Sequence, residues 1–561
     1  MFVSWLGVTL LLFVGLLMLN RLLIEKDCHM YSNANPLLHF LSIALPSFLN
    51  GFLFLTPIGA NAEFFFSIGL TIIIFAIFSF GTANFIAMAA LMLVWTVTSS
   101  PLFHATDIAN RFKPEEIDTP LFYNQETSKM RIIPLDVAAE MGNKELNVRM
   151  TDGSQLGALY SIDKSLATLQ KFRGEYTWVF PLEFNSMLKW NSVKTIPGYI
   201  TVSAEQTNKQ ELVTHVNGQP LAIKYNTYFS ERLMRKFRHE HPSVIISSIR
   251  FFLKEDGTPT FVLFKDKPQV GFGSYVPDGL YTFDAQTGDI EYFAAGEEPE
   301  YIDYTASTST LLSMVDDWGE FREGYLESWQ SSIRVKATSV KDEVSTQDLF
   351  LIDAKGMSND LAFFTGLTNA SGHDALAGML FYDARTNQPY IHYSQSSAPD
   401  ETAVIKSVND ALGIEAEKWH PKQPIPYRIY NTLDVWVTPI VSKNNRLVGF
   451  GATKVNEISA SVWDKTLEGA LSKILSSSGQ SGDVSNVKLS EAVEGFLRSY
   501  RQVSPHKAMI TLTDIPILIE CDTLKNDNCT AMIEGDWVEL KILMKTDNRA
   551  FLSEYVNSPV K

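Results

Sequence analysis

Only five charged side chains, Arg21, Glu25, Lys26, Asp27 and Glu63, occur in the first hundred residues of this 561-residue chain. Charged groups normally cover a water-facing surface, so a stretch this poor in them belongs in lipid or in a core. Its apolar residues fall into four runs, at 2–20, 36–58, 64–80 and 83–97. A helix needs about 20 apolar residues to cross a bilayer. Pro46 and Asn50 interrupt the second run, which reads as a kinked span or a re-entrant segment. Only Gly81 and Thr82 separate the last two, which suits a tight helical hairpin. We therefore expect about four transmembrane helices over residues 1–100, with three as the alternative. The first run has neither a basic leading segment nor a small-residue cleavage site after it, so it reads as a span. His39 is the one ionisable side chain expected inside a span, and the region reads as an anchor more than an ion path. Arg21 and Lys26 follow the first run while Arg111 and Lys113 follow the fourth, so the charge rule leaves orientation undecided.

The rest of the chain is acidic. The sequence holds 47 Lys and Arg against 63 Asp and Glu, a formal net charge of −16, nearly all of it beyond residue 100. Without a basic stripe such a body repels phosphate backbones, so nucleic acid is not an expected partner. The length suggests roughly three or four units. Beyond Pro101 apolar and polar residues alternate between turn signals. Asp152-Gly153, Asp256-Gly257 and Asn444-Asn445 each separate strand-like flanks, which is a strong hairpin pattern. Helical spacing marks 134–145, opened by Pro134, 229–241, with Ser230 as N-cap, and 400–413, ended by Gly413.

One short phrase occurs twice. YTFDAQTGDIEYF at 281–293 and LFYDARTNQPYIHY at 380–393 both set Asp-Ala, a variable residue and Thr between aromatic-rich runs. Asp284, Thr287 and Gly288 in one copy, and Asp383, Thr386 and Asn387 in the other, are what a tight turn needs. They supply acceptors for backbone N–H groups and then a residue tolerant of positive φ. The phrase thus reads as a hairpin turn that marks related α+β units. Turn chemistry accounts for both aspartates without making them a catalytic pair.

A helix followed by strands that end in such a turn resembles the PepSY type of module. WVFPLEF (178–184), IPGYITVSA (196–204), DDWGEFREGY (316–325) and TGLTNASGHDALAGMLFYDART (365–386) further resemble a family of large bacterial and phage membrane proteins. That family has several N-terminal spans, PepSY-like repeats and a small barrel-like tail. The resemblance covers most of residues 131–543 and implies architecture; it brings no catalytic residues. Gly288 and Asp289 match the module's turn, whereas Asn387 and Gln388 depart from it.

A Ser- and Gly-rich linker precedes strand-like runs at 508–512, 516–520 and 537–543, similar to an OB-like barrel. Such barrels often bind single strands through aromatic and basic residues, but acids surround Trp537, the one aromatic of its segment. The expected organisation is a transmembrane region at 1–100, a first α+β unit at 114–225 and a PepSY-like unit at 226–330. A second PepSY-like region at 331–475, a linker at 476–486 and a small β domain at 487–561 complete it. Cys521 and Cys529 read either as a disulfide-held hairpin or as two free thiols, and the disulfide would place the body in an oxidising compartment. Zinc takes four ligands and His506 is the tail's single histidine, so no metal is expected there.

Chemistry is sparse elsewhere. His239 and His241 lie two apart, off the spacing at which helix histidines share a metal, and His373 beside Asp374 would face opposite ways on a strand. No G-x-S-x-G elbow and no phosphate loop occurs, and 271–274 reads as a loop or bulge. Trp178, Trp190, Trp318, Trp329 and Trp436 read as core. No catalytic residue, cofactor or metal is expected. The chain reads as a membrane-anchored α+β protein whose body lies outside the cytoplasm and binds or restrains a protein or peptide partner through PepSY-like modules. The lipid bilayer is its other expected partner. A transport component and an envelope hydrolase remain as alternatives.

Overall fold

The computed structural model describes residues 6–14, 16, 43–50, 56–58, 61–78, 82–147, 155–225, 227–228, 232–329, 334–339, 349–369, 376–393, 398–429, 433–455, 461–477, 488–504, 507–513, 518–522, 537–546 and 549–555. They fall into two units, Met1–Tyr123 with Arg131–Thr402, and Asn124–Met130 with Ala403–Lys561.

In the first unit, the third and fourth apolar runs form α1 (Ala62–Phe78) and α2 (Thr82–Ser99), which pack on each other. Ser100 is extended (φ −76°, ψ 135°), and its hydroxyl accepts the Leu102 N–H to open α3 (Pro101–Ala109). Ile86–Ala109 is the one stretch among the described residues long and apolar enough to cross a membrane, where four had been expected. The break at Ser100 divides it, so its longer helical part is α2. Its 18 residues rise about 27 Å at ~1.5 Å each, close to the ~30 Å of a bilayer's hydrocarbon. Residues 6–14 and 43–48 are also helical, while most of the first two expected spans, His39 included, lies outside the described residues.

The body repeats one plan four times: a helix, then an antiparallel meander of four strand positions. After a short strand, β1 (Glu115–Glu116), the first repeat holds α4 (Leu135–Leu146), β2 (Tyr160–Ile162), β3 (Thr168–Phe172), β4 (Glu175–Phe184), α5 (Met187–Val193), β5 (Tyr199–Ser203) and β6 (Gln210–Val213). A small ribbon of β7 (His215–Val216) and β8 (Gln219–Pro220) follows. The second repeat holds α6 (Leu233–Glu240), β9 (Ile245–Leu253), β10 (Pro259–Val270), β11 (Gly273–Asp284) and β12 (Ile290–Phe293). The third holds α7 (Thr308–Phe321), β13 (Val335–Ala337), β14 (Phe350–Asp353), β15 (Leu361–Asn369), β16 (Leu376–Asp383) and β17 (Pro389–Tyr393). The fourth holds α8 (Glu401–Leu412), β18 (Trp419–Pro421), β19 (Ile425–Ile429), β20 (Leu433–Ser442), β21 (Leu447–Lys454) and β22 (Val462–Asp464), with α9 (Leu467–Ser477) packed on its last two strands. In the first, third and fourth repeats the opening strand is broken in two, and both pieces pair with the next strand.

Side-chain pattern explains the plan. The central strand β4 and the first half of β10, residues 259–264, are apolar almost continuously and buried on both faces, as strands covered on both sides must be. Helix α4 buries Val137, Ala138 and Leu146 at helical spacing. Gly142 lets α4 lie close to the sheet, since a Cβ there would stand 2.9 Å from Ile162 and 3.0 Å from Ile200. The tail closes into a barrel in the order β23 (Lys488–Ser504), β24 (Lys507–Leu512), β25 (Leu518–Asp522), β27 (Arg549–Tyr555), β26 (Trp537–Thr546).

The repeated phrase sits at the same place in its two repeats. The Asp284 carboxylate accepts the N–H groups of Gln286 (2.9 Å) and Thr287 (2.8 Å), and Gly288 has φ 77°. The Asp383 carboxylate accepts those of Arg385 (2.9 Å) and Thr386 (2.8 Å), and Asn387 has φ 58°. A further copy stands in the first repeat, where the Ser203 hydroxyl accepts Glu205 N–H (3.2 Å) and Gln206 N–H (3.0 Å), and Asn208 has φ 79°. One extra residue and Ser in place of Asp hide it from the sequence.

The alanine of the phrase latches each repeat shut. Ala204, Ala285 and Ala384 are wholly buried. Their carbonyls accept the N–H of Ile132 (2.8 Å), Lys224 (3.1 Å) and Thr305 (3.0 Å), each in the segment leading into that repeat's helix. Their own N–H groups donate to Tyr176 (2.8 Å), Pro259 (3.5 Å) and Leu361 (3.1 Å) at the start of the long second strand. Val455 does the same to Asp434 (2.9 Å) in the fourth repeat.

These bonds move several boundaries. Because Thr305 latches to Ala384, α7 belongs to the third repeat, and the second ends before Thr305 instead of near residue 330. Residues 331–475 hold the strands of one repeat and the whole of another. Helix α6 starts at Leu233 on Arg232, and Ser230 lies outside the described residues. So do Asp152-Gly153, His373, Asp374 and most of the linker. Residue Trp329 is 75% exposed and not core.

Replacing Gly288 by Val should lower stability by about 2–3 kcal/mol, because a branched side chain disfavours positive φ and the Tyr225 ring and Lys236 amine fill the space. Asn208→Gly, at an exposed turn, should change stability by less than about 0.5 kcal/mol. Thermal unfolding of the full chain in detergent compares the two.

Candidate functional site

The turn between the first two strand positions uses positive φ in each of the first three repeats. Between β3 and β4, Arg173 (φ 53°) and Gly174 (φ 82°) both take the positive values that a two-residue hairpin of matching twist requires. Gly257 (φ 89°) turns β9 into β10, and Gly356 (φ 82°), Asn359 (φ 55°) and Asp360 (φ 53°) carry β14 into β15. All three turns open on one cleft of about 580 Å³, whose remaining wall is Glu300, Tyr301 and Asp303. That volume is within the range of about 300–1,000 Å³ usual for ligand pockets.

Lys171 is the hub. Its backbone N–H donates to the Asp303 carboxylate, and its amine pairs with Asp353 at 2.9 Å. Asp303 is 6% exposed, and burial pushes its carboxyl up to about 6, against the pull of the Lys171 N–H and of the Lys171 and Arg385 charges. Burial, with Glu291 and Asp284 nearby, raises the Tyr301 phenol to about 12. Gln170 joins the first two repeats like a short piece of strand: its amide donates to the Leu253 carbonyl (3.0 Å) and accepts the Leu253 N–H (2.8 Å).

The Glu300 wall is held by Arg385, the variable residue of the second phrase. Its guanidinium donates to the carbonyls of Glu298 (2.8 Å), Pro299 (3.2 Å) and Ile302 (2.8 Å). Gln286, at the same position of the first phrase, accepts the Ala222 N–H at 3.2 Å. The variable residue therefore fixes the incoming chain in both copies, and in the third repeat that chain lines the cleft.

The result is a cleft with two cations, Lys171 and Arg173, three acids, Glu255, Glu300 and Asp303, and apolar floor from Phe172, Leu253 and Leu361. It can offer both signs of charge and a desolvated surface to a polar chain segment. The six turn residues singled out in the sequence do not form one site. Asp284, Thr287 and Gly288 sit in the second repeat and Asp383, Thr386 and Asn387 in the third, each serving its own turn. Cys521 is buried on β25 and disulfide-bonded; Cys529 lies outside the described residues. Among the described residues no three His, Cys, Asp or Glu side chains are placed to share a metal ion. Lys171, Arg173, Asp303 and Arg385 were missed. The Arg-Gly pair in KFRGEY was a readable turn, but nothing local shows which other turns it meets.

No known protein family matches this sequence, and no curated protein does. Among solved structures, the crystal structure of an exo-beta-1,3-galactanase from Phanerochaete chrysosporium with beta-1,3-galactotriose has 8% identity and a TM-score of 0.19, covering 64% of this chain and 57% of that one. The chain thus spans a little over half of that protein's length, and a likeness of this size carries no argument.

The pH dependence of stability tests the cleft's buried acid. An aspartate raised from about 3.9 to about 6 holds a proton in the folded state that the unfolded chain has lost, so stability falls as pH rises across that window. Asp303→Asn removes this fall. Relative to the parent chain it should gain up to about 3 kcal/mol between pH 4 and pH 7 in denaturant titrations. An equal difference at both pH values would show that ionising Asp303 costs nothing.

Proposed function

We propose that this is a membrane-anchored binding protein whose α+β repeats, PepSY-like in plan, hold a protein or peptide partner outside the cytoplasm. The observation that carries the reading is the cleft, where the same turn of three successive repeats frames one polar and apolar site. A strand edge offers a second means of binding. In the third repeat β17 already accepts β1 as an added parallel strand, with Glu115 opposite Tyr390 and Glu116 opposite Ile391. The matching edge of the second repeat, β12, has no strand beyond it among the described residues, and an extended partner segment would add there by main-chain bonds.

The anchor is α2, whose Ile86, Met92, Leu93, Val94 and Val97 are exposed apolar side chains. In this reading it is one of about four spans over residues 1–100. The disulfide at Cys521 supports an oxidising compartment for the body, with Cys529 as its partner, and the barrel's strand order supports an OB-like tail.

Photo-crosslinking residues placed at Arg173 and Glu300 of the full chain in its membrane should trap one discrete partner. Leu188, exposed on α5, should trap none. Equal yields at all three, or no product at 173 and 300, would defeat the proposal. Orientation is tested separately. Native Cys521 is only 1% exposed, so labelling it reports burial. Ile414→Cys, at a position 85% exposed, should react with a membrane-impermeant thiol reagent in intact cells. Reaction only after lysis would put the body in the cytoplasm.

A further inference from the structure

The chain leaves α2 at Ser99, and the body is clamped to that end. The β10–β11 hairpin tip meets it, with Phe272 N–H donating to the Ser99 hydroxyl (3.0 Å) and the Phe272 ring stacked on Phe65 (5.2 Å). Phe65 in turn packs on Trp95 of α2 (5.1 Å). His104 of α3 bonds through Nε2 to the Val97 carbonyl (2.9 Å). Arg111, just past α3, donates to the Tyr275 carbonyl (2.7 Å) and pairs with Asp317 on α7.

Helix α3 therefore has a fixed position beside the membrane end of α2. It buries Ala105, Ile108 and Ala109 against Val270 and Phe321, with Tyr325 packed on the same cluster. Its other side leaves Leu102 (50%) and Phe103 (61%) exposed. The Trp329 ring meets Tyr325 at 6.0 Å, and Leu326 and Trp329 are 78% and 75% exposed. Four large exposed apolar side chains thus lie on the segments that build this small cluster, Leu102 and Phe103 on α3 and Leu326 and Trp329 next to Tyr325.

We propose that these residues, Leu102, Phe103, Leu326 and Trp329, form a second, non-spanning contact that seats the body on the lipid surface. The inference rests on the anchored reading of α2 and goes beyond it. Lipid is the occupant because Leu102 and Phe103 closely follow the exposed apolar Val94 and Val97 along the chain, with only residues 98–101 between them. Leu102 and Phe103 lie just past the end of α2, and a bilayer of ~30 Å hydrocarbon measures ~40–45 Å with its headgroups, so an interfacial layer lies immediately beyond a spanning helix. Trp, whose apolar ring carries an N–H that can meet water, is suited to that layer, and Leu and Phe add apolar area to it. Exposed Asp107, Glu323 and Glu327 flank the patch, so the contact is apolar and needs no anionic headgroup.

The test uses the full chain in phosphatidylcholine vesicles, with a fluorophore on single cysteines in a Cys28→Ser background. Leu93→Cys reads the anchor, Phe103→Cys and Trp329→Cys read the patch, and Leu188→Cys reads an exposed apolar site elsewhere. Quenchers are carried on lipids near the headgroup or deep in the acyl chain. We expect the deep quencher to act at 93, the shallow one at 103 and 329, and neither at 188. Quenching at 93 with none at 103 and 329 overturns the surface contact and leaves the anchor standing. No quenching at 93 overturns the anchor, and the contact with it. Quenching at 188 as strong as at 103 shows non-specific adsorption and also overturns it.

Discussion

A backbone hydrogen bond to a buried alanine carbonyl ties together the parts of each of the first three repeats. Ala204, Ala285 and Ala384 each accept one from the segment entering the helix and donate one to the long second strand. Each bond adds only about 1 kcal/mol net, but a buried backbone group left without a partner costs more than that. The latch is therefore strongly enforced: the helix, the first hairpin and the third strand must all arrive together. A side chain larger than alanine would have to find room in a wholly buried place. Once three repeats close in this way, their first turns face one another and the cleft exists.

The copies of the phrase differ in ways that the same physics accounts for. Serine replaces aspartate at 203 because either oxygen can accept the two backbone N–H groups that follow. Asparagine replaces glycine at 387 because it tolerates φ 58° and its amide also donates to the Thr305 hydroxyl at 2.8 Å. The variable position is where the repeats diverge in use. Gln286 holds the incoming chain with a neutral amide, whereas Arg385 grips four carbonyls, those of Glu298, Pro299, Glu300 and Ile302, and shapes the wall that carries Asp303. A structural repeat has become locally specialised without losing its turn.

The β10–β11 hairpin links this repeat system to the apolar helices. Its tip needs glycine at 271 because φ is 58° and the Thr98 carbonyl leaves no space for a Cβ. The aromatic stack of Phe272, Phe65 and Trp95 then continues the contact into the helical pair. The second repeat is thus held at one end by the helices and at the other by the cleft, and Leu253 and Glu255 of that repeat line the cleft directly.

Local chemistry was legible in the residues. The charge-poor first hundred, the helix opened by Pro134, the Asp256-Gly257 and Asn444-Asn445 hairpins, and the turns at Asp284 and Asp383 are all decided by neighbours within a few positions. The number of repeats was not legible, since a one-residue insertion after Ser203 and a lysine at 454 break the written pattern while the backbone geometry persists. Nor were the boundary before Thr305 and the cleft. Both depend on bonds between residues some eighty positions apart, such as Thr305 to Ala384 and Gln170 to Leu253. Sequence determined which segments turn, which are helical and which avoid water, because those preferences belong to single residues and their neighbours. Only the tertiary structure decided which turns meet, because that follows from closing long loops around buried backbone groups that must find partners.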